Sequence, residues 1–174
     1  VREQFLEIMK DCYNITIHAG ETAPAENIWE AVYYLTAERI GHGLKLIEKE
    51  DLMVKFLERG IGIEMCPSSN YQIVGYRDNY FSGTQNMPDY PLKKYLDCEL
   101  KVSVNTDNPG ISLTTPTQEL HRAARLTRGG LSKWDLWQLT CNGFRTAFYP
   151  YEQKKQLIRR VEEKISELIK QDLL

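Results

Sequence analysis

The amino-acid sequence predicts an α/β fold made of repeated strand and helix units. Short apolar runs, rich in β-branched residues, alternate with longer segments whose apolar residues recur at helical spacing. Glycine or polar turn residues separate most of these segments. Strands that alternate with helices form parallel βαβ units, and their apolar interiors indicate a sheet that is buried on both faces.

The predicted strands are short, and a helix lies between each strand and the next. The strands are residues 15–17, 39–43, 61–66 and 101–107. The helices are residues 1–12, 24–36, 52–59, 91–98, 115–128, 132–144 and 150–170. We expect residues 67–70 to form a turn and residues 71–90 to be irregular. The last helix should bury its apolar side chains against the body of the protein.

The composition describes one ordinary domain, residues 1–174, with enough apolar residues for a core. The hydrophobic content is 42% and the formal charge is −2, with no block or stripe of lysine and arginine. These values argue against a disordered chain and give no electrostatic support for binding nucleic acid or a membrane surface. No apolar run approaches the roughly 20 residues that span a bilayer. We therefore expect a cytoplasmic protein whose four cysteines, which lack a C-x-x-C pair, are small core residues.

Chemically active side chains fall at or just after the ends of the predicted strands. They are His18 and Glu21 after the first strand, His42 in the second, residues 68–70 after the third, and Asp107 and Asn108 after the fourth. In a (β/α)8 barrel, the carboxyl ends of the strands form the face that carries the active site. A complete barrel needs about 250 residues, whereas this chain offers four units and terminal helices. We therefore predict half of a TIM-type (β/α) barrel.

Two histidines and two carboxylates on one rim form a candidate metal site. Zinc binds imidazole and carboxylate ligands and lowers the pKa of a bound water to about 7. In such a site His18 would bind the metal and Glu21 would move a proton. Each residue alone has a structural alternative: His18 or His42 as a core histidine, Glu21 as a surface loop residue, and Asp107 as a turn or capping residue. His121, inside a helix without a polar companion, is expected to be structural or exposed.

Four short motifs occur in order along the chain. They are H-A-G-E at 18–21, R-I-G-H-G at 39–43, C-P-S-S-N at 66–70 and S-V-N-T-D at 103–107. This ordered set resembles the adenosine deaminase family, and the resemblance covers nearly the whole chain. It implies the C-terminal half of a zinc-dependent (β/α)8 barrel that hydrolyses adenosine to inosine and ammonia.

The resemblance also implies a role for each candidate residue. His18 is similar to the family's zinc-binding histidine on the fifth strand, and Asp107 to the aspartate that ligates zinc and holds the attacking water. Glu21 is similar to the carboxylic acid that protonates the purine at N1 as water attacks C6, and His42 to the histidine that orients that water. Asn108 stands where many members carry a second aspartate facing purine N7, and its amide donates at any pH.

Two departures from the family pattern, the absence of an H-x-H pair and Asn108 in place of a second aspartate, define what stays open. The family's first strand carries an H-x-H pair that completes the zinc site, and this chain lacks one because its only histidines are His18, His42 and His121. We therefore expect a partner, the N-terminal barrel half from the same gene product or another chain, and self-association without it. Gly41, where adenine-directed relatives tend to carry aspartate, favours adenosine. The alternatives are a deaminase of adenine or another 6-aminopurine, and a non-catalytic half-barrel that acts as an interaction fragment.

Overall fold

A parallel four-stranded sheet forms the centre of the protein. The computed structural model describes residues 2–81 and 88–172. The strands are β1 (Thr16–Ala19), β2 (Arg39–His42), β3 (Gly62–Met65) and β4 (Lys101–Val104). They pair in chain order, each parallel to the next. The predicted α/β architecture is confirmed, and the strand order is that of consecutive units in a (β/α) barrel.

Helices connect the strands and continue beyond the last one. They are α1 (Arg2–Lys10), α2 (Ala25–Tyr33), α3 (Glu50–Arg59), α4 (Pro67–Ile73), α5 (Leu92–Asp97), α6 (Pro109–Ser112), α7 (Pro116–Leu126), α8 (Lys133–Thr146) and α9 (Tyr151–Asp172), and a short 3-10 helix (Leu44–Glu48) precedes α3. Local sequence explains where α3 ends and where α8 begins. Gly60 ends α3 in the left-handed conformation, with φ +65°, that favours glycine. Ser132 and Asp135 form a capping box at the start of α8.

The register of the strands sorts their side chains onto two faces of the sheet. Pairing aligns one apolar row across the sheet, Ile17, Ile40, Ile63 and Val102. The next row is His18, Gly41, Glu64 and Ser103. Successive residues of a strand point to opposite faces. The first row therefore faces the hydrophobic core, with Ile40, Ile63 and Val102 inside it and Ile17 half-buried against it. The second row lies on the face that carries the candidate site.

The sequence predicts a turn at residues 67–70, but the structure has helix α4 there, so this prediction is wrong. Pro67 suits the first helical position because its φ is fixed and its missing N–H leaves no donor unpaired. The Glu119 carboxylate accepts a hydrogen bond from the Ser68 amide at 2.9 Å, which satisfies another N–H of the first turn. A residue far away in the sequence therefore stabilises this helix.

The long irregular stretch is confirmed only in part. Residues 71–73 continue α4, whereas residues 74–81 and 88–90 form neither helix nor strand. Residues 82–87 of the predicted stretch lie outside the described part of the chain.

Helix α9 is less buried than its apolar pattern predicts. Its apolar residues Leu157, Ile158, Val161, Ile165 and Ile169 are half-buried, and Leu168 is 51% exposed. The helix packs chiefly on α8, so only one side of it is covered. The expectation that the helix buries all these side chains is wrong.

The burial of the four cysteines tests the expectation that all of them are small core residues. Cys66 and Cys141 are buried as expected, but Cys98 is half-buried and Cys12 is exposed. The expectation therefore fails for Cys12, which lies just past the end of α1.

Among the described residues, no helix combines the length and the apolarity that crossing a bilayer requires.

Ile63 lies in the interior strand β3 and is fully buried, at 0% exposure. We expect Ile63→Ala to lower the free energy of unfolding by about 2–5 kcal/mol, because it removes buried methyl groups and leaves a cavity. Urea denaturation followed by circular dichroism measures this change. Val54→Ala in α3 is the control, since Val54 is 51% exposed and its loss should change stability by at most about 0.5 kcal/mol. Equal losses in the two variants would contradict this placement of the core.

Candidate active site

The turn after β1 buries Glu21. Gly20 adopts φ +69°, and a Cβ at this position would lie 2.3 Å from Cδ1 of Ile28, so glycine is required. The chain then turns and leaves Glu21 only 4% exposed. The alternative that Glu21 is a surface loop residue is therefore wrong.

His42 ends β2 in a backbone conformation that is uncommon for a residue other than glycine. Its φ is +67° and its exposure is 3%. The following residue is held in place, because the hydroxyl of Tyr95 donates a hydrogen bond to the Gly43 carbonyl at 2.9 Å. Asp107, after β4, has φ +56°. The same conformation also occurs outside the site, at Cys12, Thr36, Glu99 and Leu113, so φ alone does not mark His42 and Asp107 as functional.

The structure brings three of the candidate residues into direct contact. Oε1 of Glu21 lies 3.1 Å from Nδ1 of His42, and Oε2 lies 3.5 Å from Nε2 of His18. The two imidazole rings are tilted against each other with centroids 4.3 Å apart. One potential ligand atom from each of the three residues lies within 4.8 Å of those of the other two. The carboxyl ends of β1 and β2 thus converge as predicted.

Two residues of α4 complete the buried polar cluster. Nδ2 of Asn70 donates to Oε1 of Glu21 at 2.9 Å and lies 3.0 Å from Nδ1 of His42. The hydroxyl of Ser69 lies 3.5 Å from the same Glu21 oxygen. Oδ1 of Asn70 accepts a hydrogen bond from the hydroxyl of Tyr90 at 2.9 Å. Each buried polar group in this cluster therefore has a partner, which its burial requires.

Burial shapes the protonation of this cluster. Removal from water lowers the pKa of His42, and the nearby His18 adds to the effect, while the charges of Glu21, Asp107 and Glu64 oppose it. Burial therefore favours the neutral form of His42. Burial also raises the pKa of Cys66, which keeps this thiol protonated.

A cavity of 490 Å³ lies in front of the cluster. Its lining includes His18, His42, Glu64, Cys66 and Asp107. The volume is within the range of small-molecule sites. His18 and Asp107, the two expected zinc ligands, therefore line one cavity, although they come from opposite edges of the sheet.

Asn108 and His121 lie outside this cavity lining. Asn108 is exposed and forms the N-cap of α6, since its Oδ1 accepts a hydrogen bond from the Ile111 amide at 3.1 Å. His121 is exposed on α7, as expected. Neither residue touches the buried cluster in an observed hydrogen bond.

Three residues that support the site, Asn70, Tyr90 and Glu119, have no role predicted from the sequence. Asn70 was visible only as part of the C-P-S-S-N motif after a predicted strand. Tyr90 and Glu119 carry no local signal, because each acts through a contact with a segment distant in sequence. Glu119 is fully buried, but its helix does not mark it as different from an ordinary exposed glutamate.

The side chains on the cavity wall fit zinc in chemical type. His18 offers an imidazole nitrogen and Asp107 a carboxylate, which are ordinary zinc ligands. The His18 side chain is 64% exposed, so an ion can reach it. Glu21 and His42 are buried and contact each other and Asn70, and His42 also lines the cavity. A catalytic zinc site has three protein ligands, so His18 and Asp107 need a further donor.

The fold and the site define a class of protein, a (β/α)-barrel protein whose candidate active site lies at the carboxyl ends of its strands. The model of the adenosine deaminase family matches residues 2–164, which are most of the chain. The chain therefore belongs to the adenosine deaminase family, a family of aminohydrolases. This result confirms the resemblance found in the sequence motifs.

Relatives and solved structures agree on the extent of the match. An adenosine deaminase of Escherichia coli is 40% identical over 152 residues, which are 87% of this chain and 43% of that protein. An adenine deaminase from Arthrobacter aurescens superimposes with a TM-score of 0.80 at 24% identity, covering 95% of this chain and 47% of that one. An amidohydrolase from Burkholderia ambifaria with bound Zn superimposes with a TM-score of 0.81 at 21% identity, covering 98% of this chain and 45% of that one. The chain spans less than half the length of these proteins, and the predicted half-barrel is confirmed.

Proposed function

We propose that this chain supplies the C-terminal half of the active site of a zinc-dependent enzyme that hydrolyses adenosine to inosine and ammonia. The observation that carries the proposal is the buried contact of Glu21 with His42, 3.1 Å apart, on the face where barrels hold their active sites. Family membership and the 40% identity to the Escherichia coli protein support the same reaction. A cytoplasmic location is part of the proposal.

Glu21 is the proposed proton donor to N1 of the purine. When water attacks C6, negative charge develops at N1, so a proton donor at that atom stabilises the transition state more than the ground state. Glu21 is only 4% exposed, and bulk water therefore competes little for its carboxyl group. Asn70 holds Oε1 at 2.9 Å, which leaves Oε2, on the side of His18, to face the substrate.

His42 is the proposed residue that orients the attacking water. Burial lowers its pKa and so favours the neutral imidazole. A neutral imidazole can hydrogen-bond to water without repelling a cation bound at the neighbouring His18, whose ring centroid lies 4.3 Å away. His42 also lines the cavity in which the water and the purine would meet.

His18 and Asp107 are the proposed zinc ligands on this chain. The H-x-H pair that the family resemblance places on the first barrel strand would supply the remaining protein ligands. These residues would hold a zinc ion, whose chemistry in such a site is to lower the pKa of a bound water to about 7 and so make that water nucleophilic at neutral pH. The N-terminal barrel half is therefore a proposed partner that completes the site as well as the sheet.

Asn108 is the proposed contact to purine N7. Its Oδ1 is already engaged by the Ile111 amide, so its Nδ2 is the group available to a ligand. An amide N–H donates to the N7 acceptor without any change of protonation. The proposed contact of Asn108 with N7 assigns substrate recognition to the loop after β4.

Two alternatives to adenosine deamination have specific support. Adenine is the second candidate substrate, because the Arthrobacter aurescens structure with the same fold is an adenine deaminase. Gly41 argues for adenosine instead, since adenine-directed relatives tend to carry aspartate there. A non-catalytic half-barrel is the other alternative, because this chain has no H-x-H sequence. Turnover of adenosine, adenine and AMP by one preparation separates these possibilities.

The first test is reconstitution of the barrel. The complementing segment is the part of the Escherichia coli adenosine deaminase that this chain does not cover, and the assembled barrel is this chain mixed with or joined to it. Alone, the chain should self-associate through its unpaired strand edges, bind zinc weakly and form no inosine above background. The assembled barrel should bind zinc and deaminate adenosine. Gel filtration, metal analysis and an inosine assay measure these properties.

The control for reconstitution is a complementing segment with both H-x-H histidines changed to alanine. It should restore the size of the complex but not zinc binding or activity. Zinc-dependent inosine formation by the chain alone would overturn the ligand assignment. An assembled barrel that folds and binds zinc without deaminating any 6-aminopurine would favour the interaction fragment.

We expect Glu21→Gln in the assembled barrel to lower kcat about 100-fold or more, since glutamine cannot donate a carboxylic proton to N1. Its zinc content should stay near that of the unchanged protein, because Glu21 is not a proposed ligand. His18→Ala and Asp107→Ala should instead lower the zinc content, as each removes one donor. Steady-state kinetics and metal analysis of the same samples measure both properties. Full activity of Glu21→Gln would reject its assignment as the acid.

We expect Asn108→Ala to weaken turnover of adenosine more than turnover of an analogue with carbon in place of N7, because only adenosine loses a hydrogen bond. Asn108→Ser is the matched control, since serine is an equally good N-cap but too short to replace the amide. Both variants should show the same discrimination between the substrates. If only Asn108→Ala loses activity, and equally on both substrates, the residue acts through the cap of α6 and not at N7.

A further inference from the structure

A second polar cavity, which we call the α4–α7 cavity, has no part in the reaction proposed above. Its volume is 350 Å³, and it lies between α4 and α7. Apart from Leu113, every described residue in its lining carries a polar or charged side chain. Helix α4 contributes Ser68 and Tyr71, and α7 contributes Gln118, His121, Arg122 and Arg125. Residues 112–114 and Asp78 complete the lining.

Arg122 is held in place on the wall of this cavity but has no acceptor. Its guanidinium carbon lies 4.8 Å from the centroid of the Tyr71 ring. A guanidinium that stacks on a ring keeps its N–H groups, which lie in its own plane, available to an acceptor. Toward the described residues, Arg122 forms no ion pair and donates no hydrogen bond. Residues 82–87 add no acidic side chain to the sequence, so the fork of five N–H donors is open to a ligand.

Ser68 offers a second unpaired donor from the other helix. It is only 5% exposed, and its backbone N–H is used by the Glu119 carboxylate at 2.9 Å. Its hydroxyl makes no hydrogen bond to any residue that the structure describes, and the oxygen is not enclosed by protein atoms. A hydroxyl on so buried a residue normally has a partner. The cavity that Ser68 lines is the place where this partner can lie.

The charges around the cavity favour a small anion. Arg125 and Asp78 also line it and form an ion pair with each other. This pair is neutral as a unit, which leaves Arg122 as the source of net positive charge in the lining. Glu119 is buried behind Ser68 and opposes an anion, although its carboxylate is directed at the Ser68 amide. An anion bound here therefore depends on hydrogen bonds as well as on charge.

Phosphate fits this set of donors better than a carboxylate does. The planar fork of arginine matches two phosphate oxygens. A tetrahedral anion has further oxygens for the Ser68 hydroxyl and for the side-chain NH2 group of Gln118, which has no observed partner in the described structure. A carboxylate has two oxygens, so it cannot engage donors from both helices equally well. The convergence of α4 and α7 thus selects for a ligand with several acceptors.

The place of the cavity in the fold supports the same ligand. In (β/α)8 barrels a phosphate site is frequently formed by the connections after the seventh and eighth strands. In a C-terminal half-barrel these strands are β3 and β4, which α4 and residues 112–118 follow. Pro116 lines the candidate active-site cavity, whereas Thr114 and Gln118 line the α4–α7 cavity. One short segment therefore separates the two cavities.

We propose that the α4–α7 cavity binds phosphate, either free or as the phosphoryl group of a larger molecule, through Arg122, Ser68 and Gln118. All three residues belong to this chain. The site therefore requires neither zinc nor the N-terminal barrel half, and it does not rest on the proposed deamination.

Nitrogen NMR with inorganic phosphate tests the site directly. Only this chain is labelled with 15N-arginine, and it is titrated alone and in the assembled barrel, with chloride keeping the ionic strength constant. Arg122→Lys and Arg77→Lys variants assign the two Nε signals. Arg77 is the matched control, since it stacks on the same Tyr71 ring at 4.8 Å but does not line the cavity. The Arg122 signal should shift and saturate, and the Arg77 signal should stay. Equal shifts of both signals, or a shift without saturation, would overturn the proposal.

Two substitutions then test the donors by calorimetric titration with inorganic phosphate. Arg122→Gln should weaken binding about 10-fold or more, and Ser68→Ala about 5-fold, because a charge-assisted hydrogen bond contributes more than a hydroxyl does. Arg77→Gln should leave the affinity unchanged. Ser68→Ala keeps the backbone N–H that Glu119 accepts, so it decides the question even if Arg122→Gln does not fold. Unchanged affinity in either variant, once circular dichroism shows it folded, would overturn the proposal.

AMP and adenosine distinguish the two sources of phosphate. If AMP shifts the Arg122 signal and competes with inorganic phosphate, while adenosine does neither, the site accepts the phosphoryl group of a nucleotide. If only inorganic phosphate shifts this signal, the site takes the free anion. Absence of a response to both would overturn the proposal. If the assembled barrel deaminates nothing, the proposed function fails, while the phosphate titration still decides the role of this cavity.

Discussion

Parallel pairing in one register is the constraint on which the rest of this structure depends. It places Ile40, Ile63 and Val102 in one row within the core, with Ile17 of the same row half-buried against it, and His18 in the next row, on the side of the cavity. Because side chains alternate along a strand, a shift of one residue in the pairing register would move every side chain of that strand to the opposite face of the sheet. Burial of the apolar row therefore also determines where the polar groups of the site lie.

The polar groups that this register brings together are stable only as a set. Glu21 and His42 are both buried, and a buried polar group without a partner costs about 1–3 kcal/mol. Asn70 offers donors to both, and Tyr90 satisfies its oxygen. The same contacts that remove this cost also restrict each group to one orientation. The stability of this cluster and its fixed geometry thus have a common physical origin.

A half-barrel leaves surfaces that a closed barrel would cover. Within the described residues, β1 and β4 each pair with a single strand. Beside β4, an apolar cavity of 510 Å³ is lined by residues of α7 and α8, among them Leu120, Leu139 and Phe144. Closing the sheet into a barrel would remove both edges. His18 lies in β1 and Asp107 follows β4, so the two proposed zinc ligands belong to the two edge strands of the sheet.

The sequence by itself determined the four strands, their parallel arrangement and the face that carries the chemistry, because hydrophobic period and turn residues are local properties. It also singled out His18, Glu21 and His42, which the structure brings into contact. Only the tertiary structure decided that residues 67–73 form a helix, that α9 stays half-buried, and that Asn70 serves Glu21 from 49 positions away. The Glu119 contact with Ser68 spans 51 positions and that of Tyr90 with Asn70 spans 20. Such contacts depend on how the layers pack, and no periodicity in the chain encodes them.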